Sequence, residues 1–351
     1  MMKTINPFMF GKVVTAPYFA DREKERDFLL TQIRNRQNVI IISPRRYGKT
    51  SLVINTIEHA KNEWVYVDCS LSDSEESLLE HIINNSVKNK PVEKIIKELK
   101  EYFKHVEITI DIKALQIKVI KISERGFEEV FEYISDKVVV FDEFQDVYKI
   151  SKKLPKKMRS VIQHKKNSYL FLGSKRHMME KIFKNPNSPF YNSGVVIELE
   201  MIPIDDFRKF IIGWFKKTDV KVNEKDVDKI LEFTHGHPYY TQYLFHFLWD
   251  KCAAHAFTNV DELISELISY NKNFYETIYF ALTNNQKKAL QIIARETDLF
   301  SGEIITKYKI KSSQHLQKAL GSLVKKEILD KNKTYHFTDL LFKEWVLYQT
   351  V

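Results

Sequence analysis

Two cysteines, Cys69 and Cys252, are all that 351 residues contain, and they stand far apart without CxxC or Cys/His spacing. That excludes a disulfide framework and a zinc site, and it fits a reducing cytoplasm. Glycine and proline are sparse, nine of each, far from the excess of collagenous or low-complexity chains, so order is expected along nearly the whole length. No stretch approaches the roughly 18 uninterrupted apolar residues of a spanning helix, and the opening MMKTINPFMF has no apolar h-region. The expectation is a soluble cytoplasmic protein of two or three domains, at roughly 150 residues per domain.

Acids are the minority, 46 against 55 lysines and arginines, for a net charge of +9. Residues 149–184 hold twelve basic side chains against the single acid Glu180, and residues 281–351 hold twelve against seven. Such surface suits phosphate or nucleic-acid partners, or is a solvated lysine-rich face; composition leaves both open.

Hydrophobic periodicity divides the chain. A helix is expected over 20–34 with Asp21 as N-cap, then a β-branched strand at Asn38–Ile42 and an amphipathic helix after residue 50. Strands follow at 64–67, 106–112 and 115–122, the last two as a hairpin turning at Lys113-Ala114. A helix at 124–135, a buried strand at 137–141, a helix at 156–164 and a buried strand at 169–172 complete an α/β alternation, which implies a parallel sheet between helical layers. Beyond the strand at 195–200 the pattern is helical: 204–214, 224–234, 239–254 and 260–282. From Asn285 three helices and a hairpin have the order of a winged helix. The division expected is an α/β core at 1–200, a helical lid at 201–283 and a winged helix at 284–351.

Ser43-Pro44-Arg45-Arg46-Tyr47-Gly48-Lys49-Thr50 is GxxxxGK[ST] with serine at the first glycine position. A strand before it and a helix after it are what a phosphate loop requires, since backbone N–H groups must converge on a triphosphate at a helix N-terminus. Gly48 lets the backbone approach, Lys49 neutralises the β/γ-phosphates and Thr50 offers its hydroxyl to Mg²⁺; Ser51 continues the loop into the helix. Val138–Asp142 then delivers a carboxylate to the sheet edge, with Asp142 for Mg²⁺ and Glu143 to polarise an attacking water. Ser174, at the tip of the next strand, either meets the γ-phosphate or lytic water or caps the following helix.

Phe19–Glu25 (FADREKE), Ser43–Leu52 (SPRRYGKTSL), Val138–Gln145 (VVVFDEFQ), Phe171–Phe183, Pro189–Tyr191 (PFY) and Gly236–Tyr240 (GHPYY) together resemble the archaeal-type ATPases of the STAND class. Those are relatives of AAA+ proteins within the P-loop NTPases, and the resemblance covers roughly residues 15–250. It implies a three-layer P-loop NTPase sandwich binding ATP or ADP with Mg²⁺, with a helical lid and a terminal winged helix. It also implies that Phe19–Arg22 approach the adenine, that His237-Pro238 of the lid contact adenine or ribose, and that Ser174 senses the γ-phosphate. Many relatives carry an arginine soon after PxY; here Asn192-Ser193-Gly194 follows. Arg45, Arg46 and Arg176 remain candidates for charge stabilisation.

The function expected is a Mg²⁺-dependent ATPase acting as a nucleotide-driven switch, with ATP held between core and lid. Two alternatives stand beside it. One is a DNA-binding regulator using ATP as a structural ligand, reading duplex through His315, Gln317, Lys318, Lys325 and Lys326 of helix 314–326, with Lys152–Lys166 as a second phosphate surface. The other is a scaffolding switch whose winged helix recruits a protein or a second copy.

Overall fold

The computed structural model describes residues 5–349 except 61, 89, 113, 115, 332 and 333. The chain divides into two compact units, Lys12–Met201 and a second formed by Met1–Gly11 with Ile202–Val351. Among the described residues no helix is long and apolar enough to cross a membrane.

The first unit runs α1 (Glu23–Arg34), β1 (Val39–Ile42), α2 (Lys49–His59), β2 (Trp64–Asp68), α3 (Glu75–Ser86), α4 (Val92–Tyr102), β3 (Val106–Asp111), β4 (Gln116–Ile122), α5 (Glu124–Tyr133), β5 (Val138–Asp142), α6 (Val147–Ile150), α7 (Leu154–Ile162), β6 (Ser168–Gly173), α8 (Arg176–Phe183) and β7 (Val195–Glu198). Five strands form one parallel sheet in the order β2-β5-β6-β1-β7. Its central strands are apolar on both faces because helices cover both. In β1, Ile40 and Ile42 enter one core layer while Val39 and Ile41 enter the other. Parallel strands bring every C-terminal strand end to one edge, so Ile42 pairs with Gly173 and Asp68 with Asp142.

Two helices unanticipated from sequence, α3 and α4, explain the β3–β4 hairpin. Asn84 of α3 donates to Ile117 O (2.7 Å) and accepts from Ile117 N–H (2.9 Å), and Glu80 accepts from Val119 N–H (3.1 Å). The hairpin thus buries Ile117 and Val119 against α3. Its expected turn at Lys113, and the expected first residue of its second strand, Leu115, lie outside the described residues. At the other end of the unit, Asn55 of α2 is buried and holds the incoming chain: it accepts from Ala16 N–H (2.8 Å) and donates to Val14 O (2.8 Å) and Ser51 O (2.6 Å). Asp21 is not the N-cap of α1. That position is Arg22, and both residues are left-handed, at φ 53° and 70°.

The second unit comprises α9 (Ile204–Lys217), α10 (Glu224–Thr234), α11 (Pro238–Ala253), α12 (Val260–Tyr270), α13 (Lys272–Phe280), α14 (Asn284–Arg295), α15 (Gly302–Lys307), α16 (Ser313–Lys325), the antiparallel pair β8 (Leu329–Lys331) and β9 (Tyr335–Phe337), and α17 (Leu340–Leu347). The single helix expected over 260–282 is broken at Asn271, whose side-chain amide donates to Leu267 O (2.9 Å) and so ends α12. Residues 5–11 belong to this unit. Phe8 is buried beside Phe210, Phe215 and Phe245, and Asn6 donates to His246 O (2.9 Å) and Asp250 Oδ1 (2.9 Å).

Candidate active site

Three parallel strand ends supply the site. After β1 the chain enters residues 43–48 and turns into α2, whose N-cap is Gly48 at φ 82°. A left-handed residue there is easy only for glycine. The other left-handed residue of the loop is Arg46, at φ 69°. Ser43 is not among the residues of positive φ; it is buried and donates its backbone N–H to Gly173 O (3.3 Å). Serine is therefore tolerated at the first glycine position because this backbone bends elsewhere. Pro44 is half-buried, Arg45 and Arg46 are exposed, and Tyr47 is buried.

Lys49 is buried, and its Nζ lies 3.3 Å from Glu143 Oε1. Thr50 Oγ1 donates to Asp142 Oδ2 (2.7 Å), and the other oxygen of Asp142 accepts from Glu143 N–H (2.8 Å). Glu143 follows β5 at φ 47°, which turns its carboxylate back toward the loop. There Glu143 Oε2 accepts from Ser174 Oγ (2.7 Å) and from the Gln145 amide. Burial alone would raise the Glu143 carboxyl, but the Lys49 charge and the hydrogen bonds from Ser174, Gln145 and Lys49 outweigh it and hold the group below its ordinary value. Glu143 is thus an anion in the pH range of cells.

Of the two roles open for Ser174, capping is not the one taken. The N-cap of α8 is Lys175, without a side-chain cap, and the Ser174 hydroxyl goes to Glu143. Ser51 directs its hydroxyl away from the loop, accepting from Val14 N–H (3.0 Å). Arg22 is buried and spends its guanidinium on Glu25 (2.8 Å) and Glu200 O. Arg176 is held by Glu198 at 2.7 Å. In the second unit, His237 is the buried N-cap of α11 and accepts from Tyr240 N–H (3.5 Å), with Pro238 at the first helical position. Gly236 before it has φ 73°, and an added Cβ would lie 2.0 Å from Ile202 O, so the glycine of this motif is required by the fold itself.

Two residues that sequence reading did not assign complete the arrangement. Tyr66 of β2 donates from its hydroxyl to Asp142 Oδ2 (2.7 Å), and burial, then the Asp142 charge, push its phenol well up, so it stays a donor. Gln145, buried, steadies Glu143. Gln145 lies in the acidic-strand motif and was visible as such, whereas the role of Tyr66 arises only from the pairing of β2 with β5.

Thr50 and Asp142 put a hydroxyl and a carboxylate oxygen side by side, a donor set that fits Mg²⁺, which takes oxygen ligands and keeps phosphate and water in its shell. No grouping of three or more His, Cys, Asp or Glu side chains set to hold a metal occurs among the described residues. A metal at Thr50 and Asp142 would rely on phosphate and water for the rest of its shell.

The family described as an ATPase domain predominantly from Archaea matches residues 19–244. A second, described as a probable winged helix domain, matches residues 273–348, beginning within α13. A curated relative, the uncharacterized protein MJECL04 of Methanocaldococcus jannaschii, is 23% identical over 283 residues, which are 79% of this chain and 54% of that protein. The chain therefore spans about half the length of that relative. Among solved structures, the Walker-type ATPase PABY2304 of Pyrococcus abyssi matches with a TM-score of 0.71 at 17% identity, over 97% of this chain and 99% of that one. The ORC2 protein of Aeropyrum pernix, in ADPNP–ADP complexes, matches with a TM-score of 0.57 at 14% identity, over 98% of each chain. At these identities the two structures share a fold with this chain.

Proposed function

The chain belongs to the family of ATPase domains found predominantly in Archaea, an α/β P-loop NTPase fold with a winged helix domain toward its C-terminus, and from that premise we propose that it binds an adenine nucleotide with Mg²⁺ and hydrolyses ATP as a nucleotide-driven switch. The observation that carries this is the convergence of Lys49, Thr50, Asp142, Glu143 and Ser174 at one sheet edge. The ORC2 structure holding ADPNP and ADP supports the choice of nucleotide.

In this reading the loop 43–50 cradles the phosphates, and Thr50 with Asp142 would hold Mg²⁺, which supplies Lewis-acid neutralisation of phosphate charge. Glu143, kept ionised by Lys49 and oriented by Ser174 and Gln145, aligns a water for in-line attack and accepts its proton. Lys49 turns from Glu143 to the phosphates as they arrive. Base-side contacts are proposed for Arg22, His237 and Pro238, although Arg22 would have to share a guanidinium already engaged with Glu25 and Glu200. We further propose a lid at 201–283, a winged helix at 284–351, membership of the STAND class among AAA+ relatives, and a reducing cytoplasmic setting.

The test is phosphate release from ATP and Mg²⁺ by wild type, Glu143→Gln and Lys49→Ala, with nucleotide binding measured in parallel. Equal release by wild type and Glu143→Gln would overturn the base assignment. A second reading, duplex DNA as partner, is favoured by α16, which buries Leu316, Leu320 and Leu323 and leaves Gln314, Gln317, Lys318 and Lys325 exposed. Salt-sensitive duplex binding weakened by Lys318→Ala/Lys325→Ala would support it. Recruitment of a protein partner or a second copy predicts instead a nucleotide-dependent change in oligomer size without nucleic-acid affinity.

A further inference from the structure

The basic stretch 149–184 separates, in the fold, into cations with structural partners and cations without. Lys149 pairs with Asp146, Lys157 with Glu75, Lys165 with Glu132, and Lys184 with Glu180. Lys157 also lies over the Phe127 ring. Lys152, Lys153, Lys156, Arg159 and Lys166 make no ion pair among the described residues. They flank or lie on α7, which buries Leu154, Met158, Val161 and Ile162 and carries no acid on any face. Four of these five are exposed and Arg159 is half-exposed.

Beside α7 lies an open groove of about 480 Å³. Lys156, Arg159, Ser160 and Gln163 form one wall and residues 187–189, from the segment between α8 and β7, form the other. It has two cations, four uncharged polar side chains, one proline and no carboxylate.

We propose that this groove and the adjoining unpaired cations of α7 are a second binding surface, one that takes the phosphodiester backbone of duplex DNA without reading its sequence. Charge complementarity chooses the occupant: two cations facing neutral polar groups suit a repeating anion, whereas an acidic peptide would also need apolar pockets for its other side chains, and Pro189 alone does not make one. The length agrees. With its cap residues Lys153 and Gln163, α7 extends about 15 Å, which along one strand of a duplex corresponds to about four phosphates. The surface lies entirely in the α/β unit, separate from the Glu143 site, and the inference does not rest on ATP turnover.

The test uses the full chain without nucleotide and the fluorescence anisotropy of a short labelled duplex over a salt series. Wild type is compared with Lys156→Gln/Arg159→Gln and with the winged-helix pair Lys318→Gln/Lys325→Gln. The groove variant is expected to bind unrelated sequences equally more weakly, with the slope of log K against log salt reduced by about 2, each lost phosphate contact removing about 0.9. Unchanged circular dichroism and thermal midpoint exclude misfolding as the cause. The proposal is overturned by absent duplex binding in wild type, by an unaltered slope in the groove variant, or by polyglutamate displacing the duplex as well as unlabelled duplex does. The last result would assign the surface to an acidic protein segment.

Discussion

Lys49 and Glu143, 94 residues apart in sequence, form an ion pair at 3.3 Å with both side chains largely withdrawn from water. The pair joins the cation suited to phosphate charge with the carboxylate suited to aligning a water. In the proposed reading, incoming phosphate would compete with Glu143 for Lys49, which would couple occupancy of the loop to release of the base. Buried pairs of this kind contribute little net stability but are costly to break by removing one partner.

Removing the two partners singly should separate binding from turnover. Lys49→Ala is expected to abolish detectable binding of a fluorescent ATP analogue. Glu143→Gln is expected to keep that binding and slow phosphate release by about 10²–10⁴-fold, the usual contribution of a positioned general base. Loss of nucleotide affinity in Glu143→Gln would show that Glu143 acts in binding and not in turnover.

Stability should carry an acid limb traceable to Glu143. Its folded pKa is depressed below the ordinary 4.5, so the unfolded chain binds the proton more readily. The resulting stabilisation is complete above the unfolded value, and it is lost as pH falls from there through the folded value. Urea unfolding at a series of pH values from neutral into that acid range should show a shallower decline for Glu143→Gln than for wild type. Parallel curves would mean that other carboxyls set the limb.

Tyr66→Phe deletes one of the hydroxyls that fix Asp142 Oδ2. The expected cost to stability is about 1 kcal/mol. The readout specific to a positioning role is the Mg²⁺ requirement: the concentration for half-maximal turnover should rise about 10-fold or more, as when an outer partner of a metal-binding carboxylate is lost. Nucleotide affinity measured in EDTA should not change. An unaltered Mg²⁺ requirement would reduce Tyr66 to a packing residue.

Asn55→Ala removes the side chain that holds residues 14–16 to α2 and leaves Ala16 N–H and Val14 O without their partner. The expected destabilisation is roughly 1–3 kcal/mol for each such group that stays out of water. Amide hydrogen exchange should quicken at residues 14–18 more than in β5. Uniform quickening across the α/β unit would point to global destabilisation instead.

The parts of the site legible in the sequence were those that lie contiguously. Residues 43–50 carry their turn, their cation and their hydroxyl in one run between a β-branched strand and an amphipathic helix, and residues 138–143 carry a strand and its terminal acids. Helices α3 and α4 lie in a stretch without a chemistry-bearing motif; Ser74 caps α3 through Ser77 N–H at 3.0 Å, but the role of α3 as the surface that holds the hairpin, through Asn84 and Ile117, exists only in the folded chain. The break at Asn271 is not legible in the sequence because apolar periodicity continues across it, and a side chain that bonds nearby backbone leaves no mark in that periodicity.

By itself the sequence determined the α/β alternation, the phosphate loop, the acidic strand end and the helix-and-hairpin order of the last segment, all fixed by local pattern and short-range geometry. Only the tertiary structure decided that Ser174 serves Glu143 and not a helix cap, that Ser51 faces Val14, that Tyr66 reaches Asp142, and that residues 5–11 lie against a helix more than 230 residues away. Those relations follow from strand order, parallel register and the burial of Phe8. They are set by which surfaces exclude water together, and no window along the chain contains both partners.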